Sequence, residues 1–199
     1  MFCGEKTKMY KLGKIFTTLG ILCLTSALFL LAWNKYENCK AADSAGAVMS
    51  RINEEIDLTH NTPDPYDAAM TEKEIDGVKY VGCLSIPELE LNLPIALECS
   101  NKNLKISPCR YFGSSKSDNL VIAAHNYSSH FGSIKSLKTS DEVVFTDMDG
   151  LATRYAVTAV EVLNPTAVKD MTSGEYDLTL FTCTYDGENR VTVRCDKKN

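Results

Sequence analysis

Hydrophobic and polar positions divide the chain into three stretches with different periods. Residues 15–33, IFTTLGILCLTSALFLLAW, carry no charge and no proline. That length is close to the ~20 residues a helix needs to cross the apolar core of a bilayer. The stretch is apolar all round, which predicts a membrane-facing helix rather than a one-sided core helix. Lys6, Lys8, Lys11 and Lys14 precede it, and Trp33 and Tyr36 close it. Basic residues before the span and aromatic residues at its far end predict a cytoplasmic N-terminus and an external C-terminal domain. A cleavable secretory signal would have an apolar core of only ~7–15 residues and a small-x-small cleavage site. The sequence WNKYENCK offers no such site directly after the span.

The second stretch, AADSAGAVMSRINEEIDL at 41–58, places Val48, Met49, Ile52 and Ile56 near helical spacing and predicts a helix or helical stalk. THNTPDPYDAAMTEKE at 59–74 is polar, contains two prolines and reads as a linker. The domain boundary falls near residue 75.

From Val78 the pattern shortens to β-like runs: VKYVGCLSI, LNLPIAL, NLVIAAH, DEVVFTD, LATRYAVTAVEVL, DLTLFTC and RVTVR. Turn-forming pairs such as Asp118-Asn119, Asp149-Gly150, Asn164-Pro165, Ser173-Gly174 and Asp186-Gly187 separate them. Many short strands with few helical segments predict a mainly all-β domain, a barrel or sandwich. SHFGSIKSL is the best short-helix candidate within it.

Composition adds limits. The formal net charge is −5, without the basic excess that marks nucleic-acid binding. There are eight cysteines. Cys3 and Cys23 would be cytoplasmic and intramembrane, and the other six external, where disulfides are permitted. Their spacing matches neither a zinc pattern nor a CxxC redox motif. Cys83, Cys109 and Cys195 sit in or beside apolar runs and read as small buried hydrophobes. No metal or other cofactor is called for.

The candidate chemistry starts at LTLFTCTYDGENRVTVR, residues 178–194. If its two β runs pair antiparallel, the six-residue loop sets Cys183 opposite Arg190. Directly opposed residues share a face, with Cβ atoms roughly 5 Å apart. Arg194 has the same parity but lies four residues further on, about 13 Å at strand rise. Arg190 is therefore the cation that can act on the Cys183 sulfur or on an oxyanion formed beside it. The apolar run 119–124 ends abruptly in His125-Asn126, and a strand end is a rigid mount for an imidazole. His130 follows in the next turn, and His60 falls in the linker. A thiol, an imidazole and a guanidinium at strand ends make a coherent set for acyl transfer through a thioester.

These residues carry a family resemblance. TLFTCTYDGENRVTVR resembles the TLxTC block and following Arg of the sortases. LVIAAHNYSSHFGSIKSL resembles their histidine segment, and YVGCLSIPELELNLPI their first strands. The similarity covers roughly residues 80–194. It implies a closed β-barrel of about eight strands, with Cys183 as nucleophile, His125 as general acid/base, Arg190 holding the oxyanion and Thr182 as a supporting contact. It implies cleavage of an LPxTG-like sorting signal near the C-terminus of a secreted protein. The acyl group would pass to an amine on a peptidoglycan precursor or a pilin lysine. The organisation then reads as a cytoplasmic basic tail at 1–14, a transmembrane signal anchor at 15–36, a stalk and linker at 37–75 and a sortase catalytic domain at 76–199. The cell expected is a Gram-positive bacterium with the catalytic domain on the extracellular side of its membrane.

The Cys183–Arg190 loop is short for the family, and the motifs lean towards class B-like or class D/E-like members. DPY at 64–66 resembles the lid motif of pilin-assembling members and reads equally as a proline turn in the linker. Glu88, Glu90, Asp147 and Asp149 read as solvated turn residues rather than a calcium site. Two other functions fit the same residues: a membrane-anchored cysteine endopeptidase that hydrolyses the thioester, and an exported barrel that binds a peptide or wall polymer with an inert Cys183.

Overall fold

The computed structural model describes residues 3–58 and 70–198, with side chains described over 13–56 and 70–198. His60 and the DPY motif at 64–66 lie outside the described residues. The chain divides into two compact units, Met1–Cys39 and Lys40–Asn199.

The described residues of the first unit, 3–39, lie within a long helix, α1 (Cys3–Leu58). By length and composition this helix is able to cross a membrane. Between residues 15 and 33 its apolar side chains are exposed; Ile15, Leu24 and Trp33 are all more than half exposed. The hydroxyls of Thr17, Thr18 and Thr25 donate to the carbonyls of Gly13, Ile15 and Leu22, each at 2.9 Å. Those bonds pair the three threonine hydroxyls with carbonyls of the helix itself.

In the second unit, the later part of α1 buries Ala41, Ala45, Val48, Met49 and Ile52, a stripe at helical spacing. Val48, Met49 and Ile52 join a cluster with Val78, Tyr80, Cys83, Ala96, Cys109 and Met148. The segment expected as a helix or stalk is thus a helix, with one face packed onto the β domain.

Nine strands follow among the described residues. They are β1 (Lys73–Ile75), β2 (Val78–Ile86), β3 (Leu91–Ala96), β4 (Cys109–Phe112), β5 (Leu120–Ala123), β6 (Glu142–Asp147), β7 (Ala152–Leu163), β8 (Leu178–Cys183) and β9 (Arg190–Lys197). Their order is β1-β2-β3-β4-β5-β8-β9-β7-β6, and β6 pairs back onto β2. Strands β2 to β9 therefore close a barrel of eight, as expected, and β1 is an extra strand on the first residues of β2. The β3–β4 and β5–β8 pairs are parallel and the rest antiparallel. Inside lie Leu84, Ile95, Ile122, Phe131, Phe145, Leu180 and Val193, all essentially inaccessible. SHFGSIKSL contributes a short 3-10 helix, Ile134–Ser136.

Closure depends on one residue of β2. Lys79 and Tyr80 pair with β1, whereas Gly82–Ser85 pair with β6. The change of partner coincides with a bulge between Tyr80 and Gly82. Gly82 has φ 149°, and a Cβ there would lie 2.2 Å from the Thr146 carbonyl oxygen. Only glycine lets the two backbones come together.

One turn reading needs correction. Asp147 is a turn residue but not a solvated one: it is 3% exposed. Its carboxylate accepts from the Asp149 and Leu151 backbone N–H groups at 3.0 and 2.9 Å. These bonds compensate its burial by closing the β6–β7 turn.

Gly82→Ala is expected to destabilise the protein by more than about 1 kcal/mol, through backbone displacement at the closing seam. Guanidinium unfolding of the full chain in detergent, set against wild type, measures it.

Candidate active site

Strand β8 has partners on both sides. It runs antiparallel to β9, with Thr182 opposite Val191 and Cys183 opposite Arg190. This is the register expected from the loop length. Thr184 N–H donates to the Asn189 carbonyl at 2.9 Å, and Asn189 N–H to the Thr184 hydroxyl at 3.0 Å. Gly187, with φ 77°, supplies the left-handed residue of the turn.

On its other side β8 runs parallel to β5, with Ala123 opposite Phe181. Ala124 N–H continues the ladder to the Phe181 carbonyl at 3.1 Å. His125 and Cys183 each lie two residues beyond the last pair of this ladder, Ala123 and Phe181. The Thr182 hydroxyl donates to the Ala124 carbonyl at 2.9 Å and ties β8 to the residue before His125. His125, Cys183 and Arg190 thus sit where β5, β8 and β9 end on the same side of the sheet; Cys183 lines the cavity there, and His125 and Arg190 are not among its lining residues.

The side chains differ in setting. Cys183 and Thr182 line a cavity of roughly 220 Å³ with Phe131, Lys135, Tyr185 and Val191 among its other walls. Thr182, Val191 and Phe131 form its inner side, and Lys135 brings a cation to it. Arg190 is half-buried and donates from Nη1 to its own loop, to the Asn189 and Gly187 carbonyls at 3.0 and 3.3 Å. Among the described residues no carboxylate pairs with it.

Arg194 has a different setting. It is 3% exposed and ion-paired to Glu161 at 2.8 Å. It also donates to the Asp170 carbonyl at 2.8 Å and the Thr179 hydroxyl at 3.0 Å. Asp170 belongs to α3 (Val168–Met171), and the Thr192 hydroxyl meets the Met171 sulfur at 3.7 Å. Helix α3 therefore covers the outer face of the hairpin at Thr192 and Arg194, while the Cys183–Arg190 end stays accessible.

His125 is half-buried, and its ring lies 5.1 Å from that of Tyr127, which lies 5.4 Å from His130. Burial, and then the charge of Lys105, lower the His125 pKa below the usual histidine value. The imidazole is therefore neutral at physiological pH and able to accept a proton. Gly132 permits the tight turn beneath it: its N–H donates to the Tyr127 carbonyl at 2.8 Å, and a Cβ there would lie 2.7 Å from that oxygen.

His130 is fully buried, and among the described residues neither ring nitrogen has a hydrogen-bond partner. The Ile106 and Ala41 carbonyls are close enough to favour a proton on it without completing a bond of good geometry. Burial, with His125 adding to it, lowers its pKa to about 4.

Lys105, Lys135 and Tyr185 are neighbours of the site that pattern reading passed over. Only Lys135 had a legible signal, its place in the predicted short helix. Among the described residues no group of three or more His, Cys, Asp or Glu side chains is placed to hold a metal.

A sortase family model matches residues 84–198, more than half the chain. The chain belongs to the sortase family. Sortase A of Bacillus anthracis is 30% identical over 127 residues, a match spanning 58% of each sequence. Among solved structures, sortase C from Clostridium perfringens SM101 superposes with a TM-score of 0.54 at 22% identity, covering 75% of this chain and 89% of that one. A Clostridium perfringens Sortase D5 transpeptidase gives 0.57 at 17% identity, covering 79% and 97%. At these identities the structural likeness speaks for the fold alone.

The buried His130 sets an acid limit on stability. Its folded pKa is about 4, against an ordinary 6.5. The unfolded chain therefore binds more protons between those values. The stability is fully present above pH 6.5 and is lost as pH falls towards 4, by about 3 kcal/mol in all. Chemical unfolding at stepped pH checks this, and His130→Phe is expected to flatten that part of the slope.

Proposed function

We propose that the protein is a membrane-anchored cysteine transpeptidase acting on an LPxTG-like sorting signal of secreted proteins. In this reading residues 1–14 are a cytoplasmic tail and 15–36 the anchor. Residues 37–75 connect to a catalytic domain at 76–199 on the extracellular side of a Gram-positive membrane.

The observation that supports the reading is the register of β8, which sets Arg190 opposite Cys183 on one edge and pairs in parallel with the strand leading to His125 on the other. The Cys183 sulfur attacks the carbonyl carbon of the scissile peptide bond. His125, neutral at the outset, takes the thiol proton and passes it to the leaving amine. Arg190 turns a guanidinium N–H from its loop carbonyls to the oxyanion. Thr182 positions the strand end through its bond to Ala124. An acceptor amine, from a peptidoglycan precursor or a pilin lysine, then attacks the thioester carbon. The new amide forms, the C–S bond breaks and the thiol regains its proton.

Incubation of the full chain with an LPxTG-like peptide and increasing amine is expected to give amide product that rises with amine concentration. Cleavage to the free acid regardless of amine would instead identify a cysteine endopeptidase. Failure of Cys183 to react with a vinyl sulfone would leave a binding barrel.

Cys183→Ala is expected to reduce turnover at least about a thousand-fold with the fold intact. Arg190→Lys is expected to cost roughly a hundred-fold, since an ammonium cannot reproduce the planar fork. Arg194→Ala is expected to lower stability by about 3 kcal/mol through its stranded partners. A larger loss of turnover per folded molecule for Arg194→Ala than for Arg190→Ala would overturn the assignment of Arg190.

A further inference from the structure

The cavity beside Cys183 has one basic wall residue. Lys135 lines it, and no other residue of the lining is Lys, Arg, His, Asp or Glu. Phe131 and Val191 supply apolar wall, and Tyr185, almost fully exposed, also borders it.

The backbone fixes where this lysine sits. It is the middle residue of the 3-10 helix Ile134–Ser136. Ile134 and Leu137 are buried, and with three residues per turn they share one face. Lys135 falls off that face and is exposed. The Ser136 N–H donates to the Ser133 carbonyl at 3.0 Å, and the Leu137 N–H to the Ile134 carbonyl at 3.2 Å, which holds the turn.

Its charge is also uncommitted. Lys73, Lys79, Lys116, Lys197 and Lys198 each pair with a carboxylate. Among the described residues no carboxylate lies within ion-pair distance of Lys135. Asp141, on the following turn, accepts from the Lys138 N–H at 2.7 Å. Asp186, in the β8–β9 loop, accepts from the Thr184 hydroxyl and from the Glu188 N–H. An anion entering the cavity would therefore gain a cation without displacing a protein partner. One ammonium with no second cation in the lining suits a monoanion, a carboxylate, rather than a phosphate.

We propose that Lys135 is a specificity-determining residue: it binds a carboxylate on the ligand that occupies the Cys183 cavity, and so selects a carboxylate-bearing substrate. The inference rests on the transpeptidase reading, which supplies two sources of that group. One is an acidic side chain in the sorting peptide. The other is a carboxylate on the acceptor amine.

The first measurement needs no turnover. Cys183 in the full chain in detergent is alkylated with iodoacetate or with iodoacetamide, its neutral counterpart. After trypsin digestion the label is read on fragment Asp170–Arg190, in which Cys183 is the sole cysteine. The ratio of the two rates cancels the reactivity of the sulfur itself. Lys135→Gln is expected to lower the iodoacetate-to-iodoacetamide ratio about three- to five-fold, the upper end for an exposed ion pair. Raising salt from about 0.15 to about 1 M is expected to remove most of that difference. Lys135→Arg is expected to keep the ratio. Lys102→Gln, in α2 (Asn101–Leu104), and Lys138→Gln remove exposed lysines outside the lining and are expected to leave it unchanged. A ratio insensitive to Lys135→Gln, or equally sensitive to the two control changes, would overturn the proposal.

Turnover then separates the sources. An LPxTG-like peptide with Glu at its variable position is set against one with Gln, and Nα-acetyl-lysine as acceptor against its amide. A Lys135-dependent preference in kcat/KM for the Glu peptide places the carboxylate in the peptide, and one for the free acid places it in the acceptor. Equal kcat/KM within both comparisons would sink the selection. Absence of turnover with every substrate counts against the transpeptidase reading instead, and the alkylation ratio then decides the role of Lys135 by itself.

Discussion

Strand β8 is hydrogen-bonded along both edges, and the site depends on that constraint. Its antiparallel edge fixes Arg190 opposite Cys183, and its parallel edge carries the chain that ends in His125. Neither neighbour can slip without moving every inward side chain to the outer face, since side chains alternate along a strand. Leu178 and Leu180 are buried in the core on the inner side. The hydrophobic core therefore sets the register, and the register sets the distance between functional groups. The Thr182 hydroxyl adds a side-chain tie at the point where the parallel ladder runs out.

The two arginines of β9 show how position on one face decides role. Arg190 and Arg194 have the same parity, yet one is bonded only to its loop carbonyls and the other is enclosed by α3, Thr179 and Glu161. A buried guanidinium with that many acceptors is a structural fastener. An accessible one with replaceable carbonyl partners retains donors for a ligand.

Much of this was legible in the sequence because it was local. The run VKYVGCLSI is β2 in full, and the loop from Thr184 to Asn189 predicts the Cys183–Arg190 pair directly. The extra strands were harder. β1 is three residues, KEI, inside a polar linker, and β4 is CRYF, short and interrupted by Arg110. Each owes its conformation to a neighbour's edge rather than to its own pattern. The β5–β8 pairing has no local signal, because it joins segments far apart in the chain. That the strand leading to His125 would pair with the strand ending in Cys183 had no support in periodicity. The burial of Asp147 was likewise invisible, since two backbone amides compensate it and sequence does not display them.

The bond from Thr182 to Ala124 bridges 58 positions of chain. Contacts of such separation form late, because the intervening chain must first give up its freedom. In the proposed reading, a chain still crossing the membrane would carry a sulfur without its proton acceptor. In the proposed chemistry the nucleophile would stay unarmed until the barrel closes, which would spare a newly exported chain from acylating itself on whatever peptide it met first.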